Sequence, residues 1–294
     1  MSNPTQLNLA ALSAALADAT ATAAARVVAV ASAGHHDSIS GVIWRTGLLV
    51  TAHEGLAGDD EFSVLMPDGR KKLASLVGRD PSTDVALLKL ETGAFADWPA
   101  APLPAAGSLA LAVGRAENGA IAAFGVVSEA GPGWRSMRGG LIDARIVLGL
   151  RLAGRAEGGA VIAPDGALIG LAVTGPRRRA LAIPAATIER AVAALGARGY
   201  VARGYLGASL HPLAGQGSAG GTIIVGIEAG GPAAQAGLVV GDIITTWNGE
   251  AIGTVGAVSQ RLGTDSVGHK VKLGITRGGT ATDIDVTIGE RPRA

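Results

Sequence analysis

The chain has no cysteine in its 294 residues, which excludes disulfides, thiolate catalysis and cysteine-held zinc. Aromatic residues make up only 3% of it, so a core must be assembled from Val, Ile, Leu and Ala within a hydrophobic content of 48%. Charge of one sign is also missing. With 25 Lys and Arg against 24 Asp and Glu the net charge is +1, and no electrostatic feature points to a nucleic acid. A long uncharged apolar run is absent too. Asp18 and Arg26 interrupt the Ala-rich start, which leaves no membrane span. That start also lacks the basic end and apolar core of a secretory signal, so the expected location is cytoplasmic.

What the chain has in quantity is glycine, 45 residues, with 13 prolines, which favours many short strands and tight turns over a helical bundle. A length of 294 residues suggests two domains, or one large one. In residues 1–25, Leu7, Leu9, Leu12 and Leu16 recur at roughly helical spacing and predict an amphipathic helix, packed on its own domain or serving an oligomer contact. From residue 26 onward the apolar runs are short. Residues 26–31, 39–44, 47–52, 62–66, 72–77 and 84–90 read as strands, with Pro67-Asp68-Gly69-Arg70 a strong turn between two of them. Six such strands predict a small antiparallel barrel. Residues 109–114, 122–128 and 141–146 continue the pattern. Ile188, Ala191, Val192 and Leu195 then mark one face of a helix. Arg177-Arg178-Arg179 reads as a solvated hairpin tip.

The central stretch is Gly154-Arg155-Ala156-Glu157-Gly158-Gly159-Ala160-Val161, followed by the turn Pro164-Asp165-Gly166 and the run Leu168-Ile169-Gly170-Leu171-Ala172-Val173. Paired glycines before a strand let another backbone come close. This segment resembles the nucleophile segment of trypsin-like serine proteases of the HtrA/Deg type. Ser40-Gly41-Val42-Ile43, Asp80-Pro81-Ser82-Thr83-Asp84-Val85-Ala86-Leu87-Leu88-Lys89, Gly125-Val126-Val127-Ser128 and Ala182-Ile183-Pro184 are similar to further motifs of that family. Further on, Arg203-Gly204-Tyr205-Leu206-Gly207-Ala208, Gly231-Pro232-Ala233-Ala234-Gln235-Ala236-Gly237-Leu238, Gly241-Asp242-Ile243-Ile244 and Trp247-Asn248-Gly249 resemble an HtrA-type PDZ domain.

The resemblance implies a mostly β fold, a trypsin-like double β-barrel followed by an α+β PDZ domain. The divisions expected are a helical segment at 1–25, the barrels at 26–198, a linker at 199–204 and the PDZ domain at 205–290. The family's catalytic aspartate falls on Asp84. Its catalytic histidine, counted without a gap, falls on Glu54, with His53 adjacent, and its nucleophile falls on Glu157. The loop between Arg145 and Glu157, which in the family shapes the oxyanion hole and the primary specificity pocket, departs from the pattern. From Met137 to Ala208 there is neither Ser nor Cys. Acyl transfer by a serine needs a hydroxyl, an imidazole beside it and a carboxylate orienting that base. The expectation is therefore a catalytically inactive homologue, not an enzyme, with an active HtrA-type serine endopeptidase as the alternative.

If the fold is kept, Glu54, Asp84 and Glu157 would converge on the old cleft. Three close carboxylates need compensation, by Arg151, Arg155 or a hard divalent cation such as calcium. Salt-bridged or solvated side chains are the expected outcome, with no metal and no cofactor. The PDZ domain implies strand addition by a peptide or protein C-terminus, its carboxylate held by backbone N–H groups of Tyr205, Leu206, Gly207 and Ala208. A helix from Val255 to Leu262 would form the opposite wall. Val258 and Leu262 would line the terminal side chain's pocket or belong to the core. The roles expected are adaptor, chaperone-like holder or subunit of a homo-oligomer or larger complex.

Overall fold

The structure is a computed structural model that describes residues 9–32, 38–99, 101–213 and 221–292. It contains two compact units, one of residues 1–134 and 142–200, the other of 135–141 and 201–294.

The first unit begins with α1 (Leu9–Ala24). Its packed residues are Ala19, Ala23 and Ala24, while Leu9 is 73% exposed and Leu12 and Leu16 are half-buried. Leu12, Leu16, Ala19 and Ala23 follow one another at helical spacing, so the leucine stripe lies on the face that packs, and the close approach is made by the alanines near its C-terminal end. Leu7 lies outside the described residues. Arg115 fastens this end of the helix. Its Nε donates to the Val27 carbonyl at 2.6 Å and a terminal nitrogen to the Ala24 carbonyl at 2.7 Å. Those carbonyls lie at and just beyond the helix's negative end, where a cation is favourable.

Six strands then close a barrel: β1 (Val27–Ser32), β2 (Ser38–Arg45), β3 (Leu48–Ala52), β4 (Glu61–Leu65), β5 (Lys71–Asp80) and β6 (Val85–Leu90), in the order β1-β2-β3-β6-β5-β4. The turn at Pro67–Arg70 joins β4 to β5 as read from the sequence. The barrel is filled by Val28, Val30, Ile43, Leu49, Phe62, Val64 and Leu88. Each such apolar side chain removed from water contributes about 1.5–3 kcal/mol.

A second closed barrel follows: β7 (Leu109–Ala116), β8 (Gly119–Gly131), β9 (Arg145–Leu148), β10 (Ala160–Ile162), β11 (Leu168–Thr174) and β12 (Ala180–Pro184), ordered β9-β12-β11-β10-β7-β8. Its core is built from smaller residues, including Ala110, Ala112, Ala172 and Ala182 around Val127, Ile146 and Val161. The helix α2 (Ala185–Arg198) closes the unit by burying Ile188, Ala191, Val192 and Leu195, the face its spacing predicts. It ends on Gly199 in the left-handed conformation, whose N–H caps the Leu195 carbonyl. At the tip before β12, Arg177 and Arg178 are exposed, while Arg179 pairs with Glu129 at 3.1 Å.

The second unit is an α+β sheet of β13 (Ala208–Leu213), β14 (Gly221–Ile227), β15 (Ile243–Trp247), β16 (Lys270–Arg277) and β17 (Thr280–Thr287), hydrogen-bonded in that order with β13 at one edge. A short helix α3 (Pro232–Gln235) and the helix α4 (Val255–Arg261) complete it. Its core gathers Leu206, Ile224, Leu238, Ile244, Trp247, Val258, Leu273 and Val286. Among the described residues no helix is long and apolar enough to cross a membrane.

Candidate active site and peptide groove

The candidate site residues of the first unit lie where strand ends meet. Register pairs Ala52 of β3 with Val85 of β6, so the residues just beyond, His53 and Asp84, are neighbours. The His53 N–H donates to the Asp84 carbonyl at 3.2 Å, and the Glu54 N–H donates to Asp84 Oδ1 at 2.7 Å. Asp84 holds this position with φ of 60°, a left-handed conformation uncommon outside glycine but most accessible to Asp and Asn. Counting along the chain puts Glu54 in the histidine's place. The structure leaves Glu54 exposed, whereas His53 is half-buried and its Nδ1 is shut off from solvent. What Asp84 receives from this segment is backbone, its carbonyl accepting from His53 and its carboxylate from Glu54.

Glu157 follows a single 3-10 turn, Gly154–Ala156. The Ala156 N–H donates to Ala153 at 2.8 Å and the Glu157 N–H to Gly154 at 3.2 Å, so both donors are spent within the turn. The Glu157 side chain meets Thr174 at the end of β11, accepting from its backbone N–H and from its hydroxyl, both at 3.3 Å. Neither Arg151 nor Arg155 supplies the partner these contacts describe; a hydroxyl and an amide do. Among the described residues no group of three or more His, Asp or Glu is placed to hold a metal ion. Glu54, Asp84 and Glu157 thus do not form the cation cluster that convergence would have required.

The backbone around Glu157 is clamped by the first barrel. The Ser40 N–H donates to the Glu157 carbonyl at 2.8 Å, and the Ser40 hydroxyl donates to the Arg155 carbonyl at 2.6 Å. That same hydroxyl accepts from the Arg115 N–H at 2.9 Å. Thr51 completes the clamp by donating its hydroxyl to the Ser40 carbonyl at 2.6 Å. Ser40 and Thr51 are fully buried. Sequence reasoning placed Ser40 in an entry strand but missed this role; the available signal was two hydroxyls inside otherwise apolar strands.

In the second unit, Leu206 is core, Tyr205 and Ala208 are half-buried and Gly207 has φ of 71°. The Leu206 carbonyl accepts from Ala233 at 2.8 Å and the Gly207 carbonyl from Glu228 at 2.9 Å. No peptide bond here is cis. In a trans peptide the N–H opposes the preceding carbonyl. The Gly207 N–H is therefore turned away from α3, and the Ala208 N–H away from β14. Tyr205 also donates its hydroxyl to the Glu228 carboxylate. Opposite, α4 starts on Thr254, whose hydroxyl accepts from the Ala257 N–H at 3.1 Å. The helix ends at Arg261, with Leu262 as its cap. Val258 is wholly buried in the domain core, and Leu262 is half-buried against that core.

These two geometries, a double barrel and a sheet with β13 at one edge, agree with the comparisons. Residues 39–171 match the family profile of the trypsin-like peptidase domain, and 204–288 that of the PDZ domain. The chain joins an HtrA/DegP-type trypsin-like peptidase domain to a PDZ domain. It is 30% identical over 263 residues to a probable periplasmic serine endoprotease, DegP-like, of Bartonella henselae, covering 84% of this chain and 52% of that one. A protein of the same name from Brucella suis is 30% identical over 272 residues, covering 85% and 52%. The chain spans about half the length of these curated relatives. Among solved structures, the HtrA-type protease AlgW with a decapeptide superposes with a TM-score of 0.72 at 25% identity, covering 95% of this chain and 99% of AlgW. The serine endoprotease from Yersinia pestis gives 0.72 at 27% identity, covering 99% and 100%.

Two expectations are corrected by these findings. The chain was expected not to be an enzyme, yet the HtrA/DegP relatives that match most of it are named serine endoproteases. It was expected in the cytoplasm, yet the same curated relatives are named periplasmic. Both errors come from reading absences. One was a missing hydroxyl at residue 157. The other was a signal not recognised in the first residues of a sequence that spans about half of its relatives' length.

Proposed function

We propose that this chain acts on polypeptides as an endopeptidase of the HtrA/DegP type, and that its PDZ domain takes hold of free C-terminal ends of peptides or proteins. The first half is supported by kinship with named serine endoproteases and by the half-buried His53, whose backbone N–H is bonded to the Asp84 carbonyl at the end of β3. The second half rests on one observation above all. The peptide planes at Leu206–Gly207 and Gly207–Ala208 are pinned with their carbonyls inward, by Ala233 and Glu228, so their N–H groups face the other way. Two such donors beside an open sheet edge suit a terminal carboxylate.

Serine-type cleavage asks for a hydroxyl that His53 can serve. Glu157 precedes Gly158–Gly159 where the family's nucleophile stands, and the hydroxyl that reaches it is Thr174's. The test is incubation with a fluorophosphonate probe, followed by peptide mapping, alongside casein hydrolysis. A stoichiometric adduct on a barrel hydroxyl with casein cleavage is the expected result. Absence of both would remove the endopeptidase half and leave chain-end capture standing, since a labelled peptide with a free C-terminus tests that half separately against its amidated twin.

A further inference from the structure

The open edge of the PDZ sheet carries a proline. The strand β13 reads Ala208-Ser209-Leu210-His211-Pro212-Leu213 and, among the described residues, pairs with β14 on one side only. The direction of its backbone groups follows from the loop before it. Because the Gly207 carbonyl points to Glu228 at the end of β14, the trans peptide turns the Ala208 N–H outward. Backbone groups in a strand alternate sides with a period of two. The register slips between Ser209 and Leu210, but the pairing moves from Gly226 to Ile224, so the extra residue, Val225, belongs to β14. The alternation along β13 is therefore unbroken. Ala208, Leu210 and residue 212 all face outward.

Residue 212 is proline and has no N–H to offer. An outward-facing position on an edge strand is where a proline is tolerated in a sheet. It is also where an incoming strand would look for its next donor. We propose that Pro212 ends the docking ladder, so that this domain reads only the last three or four residues of a chain end, whatever the length of the polypeptide behind it. This inference rests on the chain-end reading above. A ligand whose carboxylate sits at Gly207 and Ala208 runs antiparallel to β13. Its residue two places before the end pairs with Leu210, and its residue four places before the end arrives at Pro212. There its carbonyl finds a pyrrolidine ring in place of a donor. The domain would then suit a peptidase receiving chain ends of varied upstream sequence, since the lost contacts are the ones that would read that sequence.

The experiment measures fluorescence anisotropy of the full chain with N-terminally labelled peptides of four, six and eight residues, all ending in the same Tyr-Val-Val with a free carboxylate. Affinity in the wild type is expected to be flat across the three lengths, within about twofold. In Pro212→Ala the six- and eight-residue peptides should gain about three- to tenfold, the worth of one net hydrogen bond, while the four-residue peptide stays unchanged. A tenfold or greater rise from four to eight residues in the wild type would overturn the proposal, with no need of the variant. Equal, length-independent affinities in Pro212→Ala would overturn it as well. If no peptide of any length binds either protein, the chain-end reading itself fails and takes this inference with it, an outcome distinct from binding that simply grows with length.

Discussion

Gly158 is the residue at which the cleft tolerates least. Its φ is +79°, and a Cβ built there would lie 2.2 Å from the Ser40 carbonyl oxygen and 2.5 Å from the Thr51 hydroxyl. The first of those neighbours is backbone of β2, and Thr51 is itself tied to Ser40. Relief would require the two barrels to part at this point. Gly158→Ala should therefore cost about 2–4 kcal/mol in urea unfolding, combining left-handed strain with overpacking. A loss under about 1 kcal/mol would show that the clamp yields. The need for glycine here was legible, because a Gly-Gly pair before an apolar run signals close backbone approach. What it approaches was not legible, since Ser40 and Thr51 come from much earlier in the chain and only the closure of both barrels brings them there. The neighbouring pair His53 and Glu54 shows the same limit. Counting along the chain assigns a register, but which side chain turns inward depends on how β3 ends against Asp84.

At the scale of elements, strand content and turn positions were the readable part. Turn chemistry and β-branched runs act locally, and the helix α2 announced its buried face by spacing alone. The helix α1 announced the side but not the depth, because Leu12 and Leu16 share a face with Ala19 and Ala23, yet only the small alanines come close enough to be fully buried. The Gly241-Asp242-Ile243-Ile244 motif was legible as a family feature, and the structure supplies its physics. Asp242 is buried, accepts from the Val239 N–H at 2.9 Å, and receives a two-pronged bond from Arg277 at the end of β16, both contacts at 2.7 Å. The Arg277 fork, with the Val239 amide behind it, holds the Asp242 carboxyl below its ordinary value. A depressed carboxyl contributes stability that is present above its unfolded value, about 4, and that is lost as pH falls through the lower folded value. Arg277→Ala should thus lower the melting midpoint of the PDZ domain at pH 7. The gap between variant and wild type should then begin to close as the pH falls below about 4, and be gone once the pH is under the lower folded value, where Asp242 is protonated in both. A gap of constant size from pH 7 to pH 3 would mean that Arg277 acts through packing of its stem and not through the ion pair.

For the molecule as a whole, the lack of cysteine is decisive for how it stays folded. Relatives of this chain are named periplasmic, and the periplasm is a compartment where disulfides form, yet none can form here. Stability must come from apolar burial, and that burial is divided. The cores of β1–β6 and β7–β12 belong to one compact unit, while the PDZ core belongs to the other. Each unit has the interior a cooperative domain requires, so calorimetry should resolve two transitions, neither of which moves when reductant is added. Leu88 is fully buried in the first barrel and Leu273 in the PDZ core. Leu88→Ala and Leu273→Ala should each cost about 2–5 kcal/mol through lost transfer energy and an unfilled cavity. Each should lower a different transition and leave the other in place. If both substitutions lowered one shared transition by similar amounts, the two units would be unfolding as one, and the division of the core drawn from the structure would be wrong.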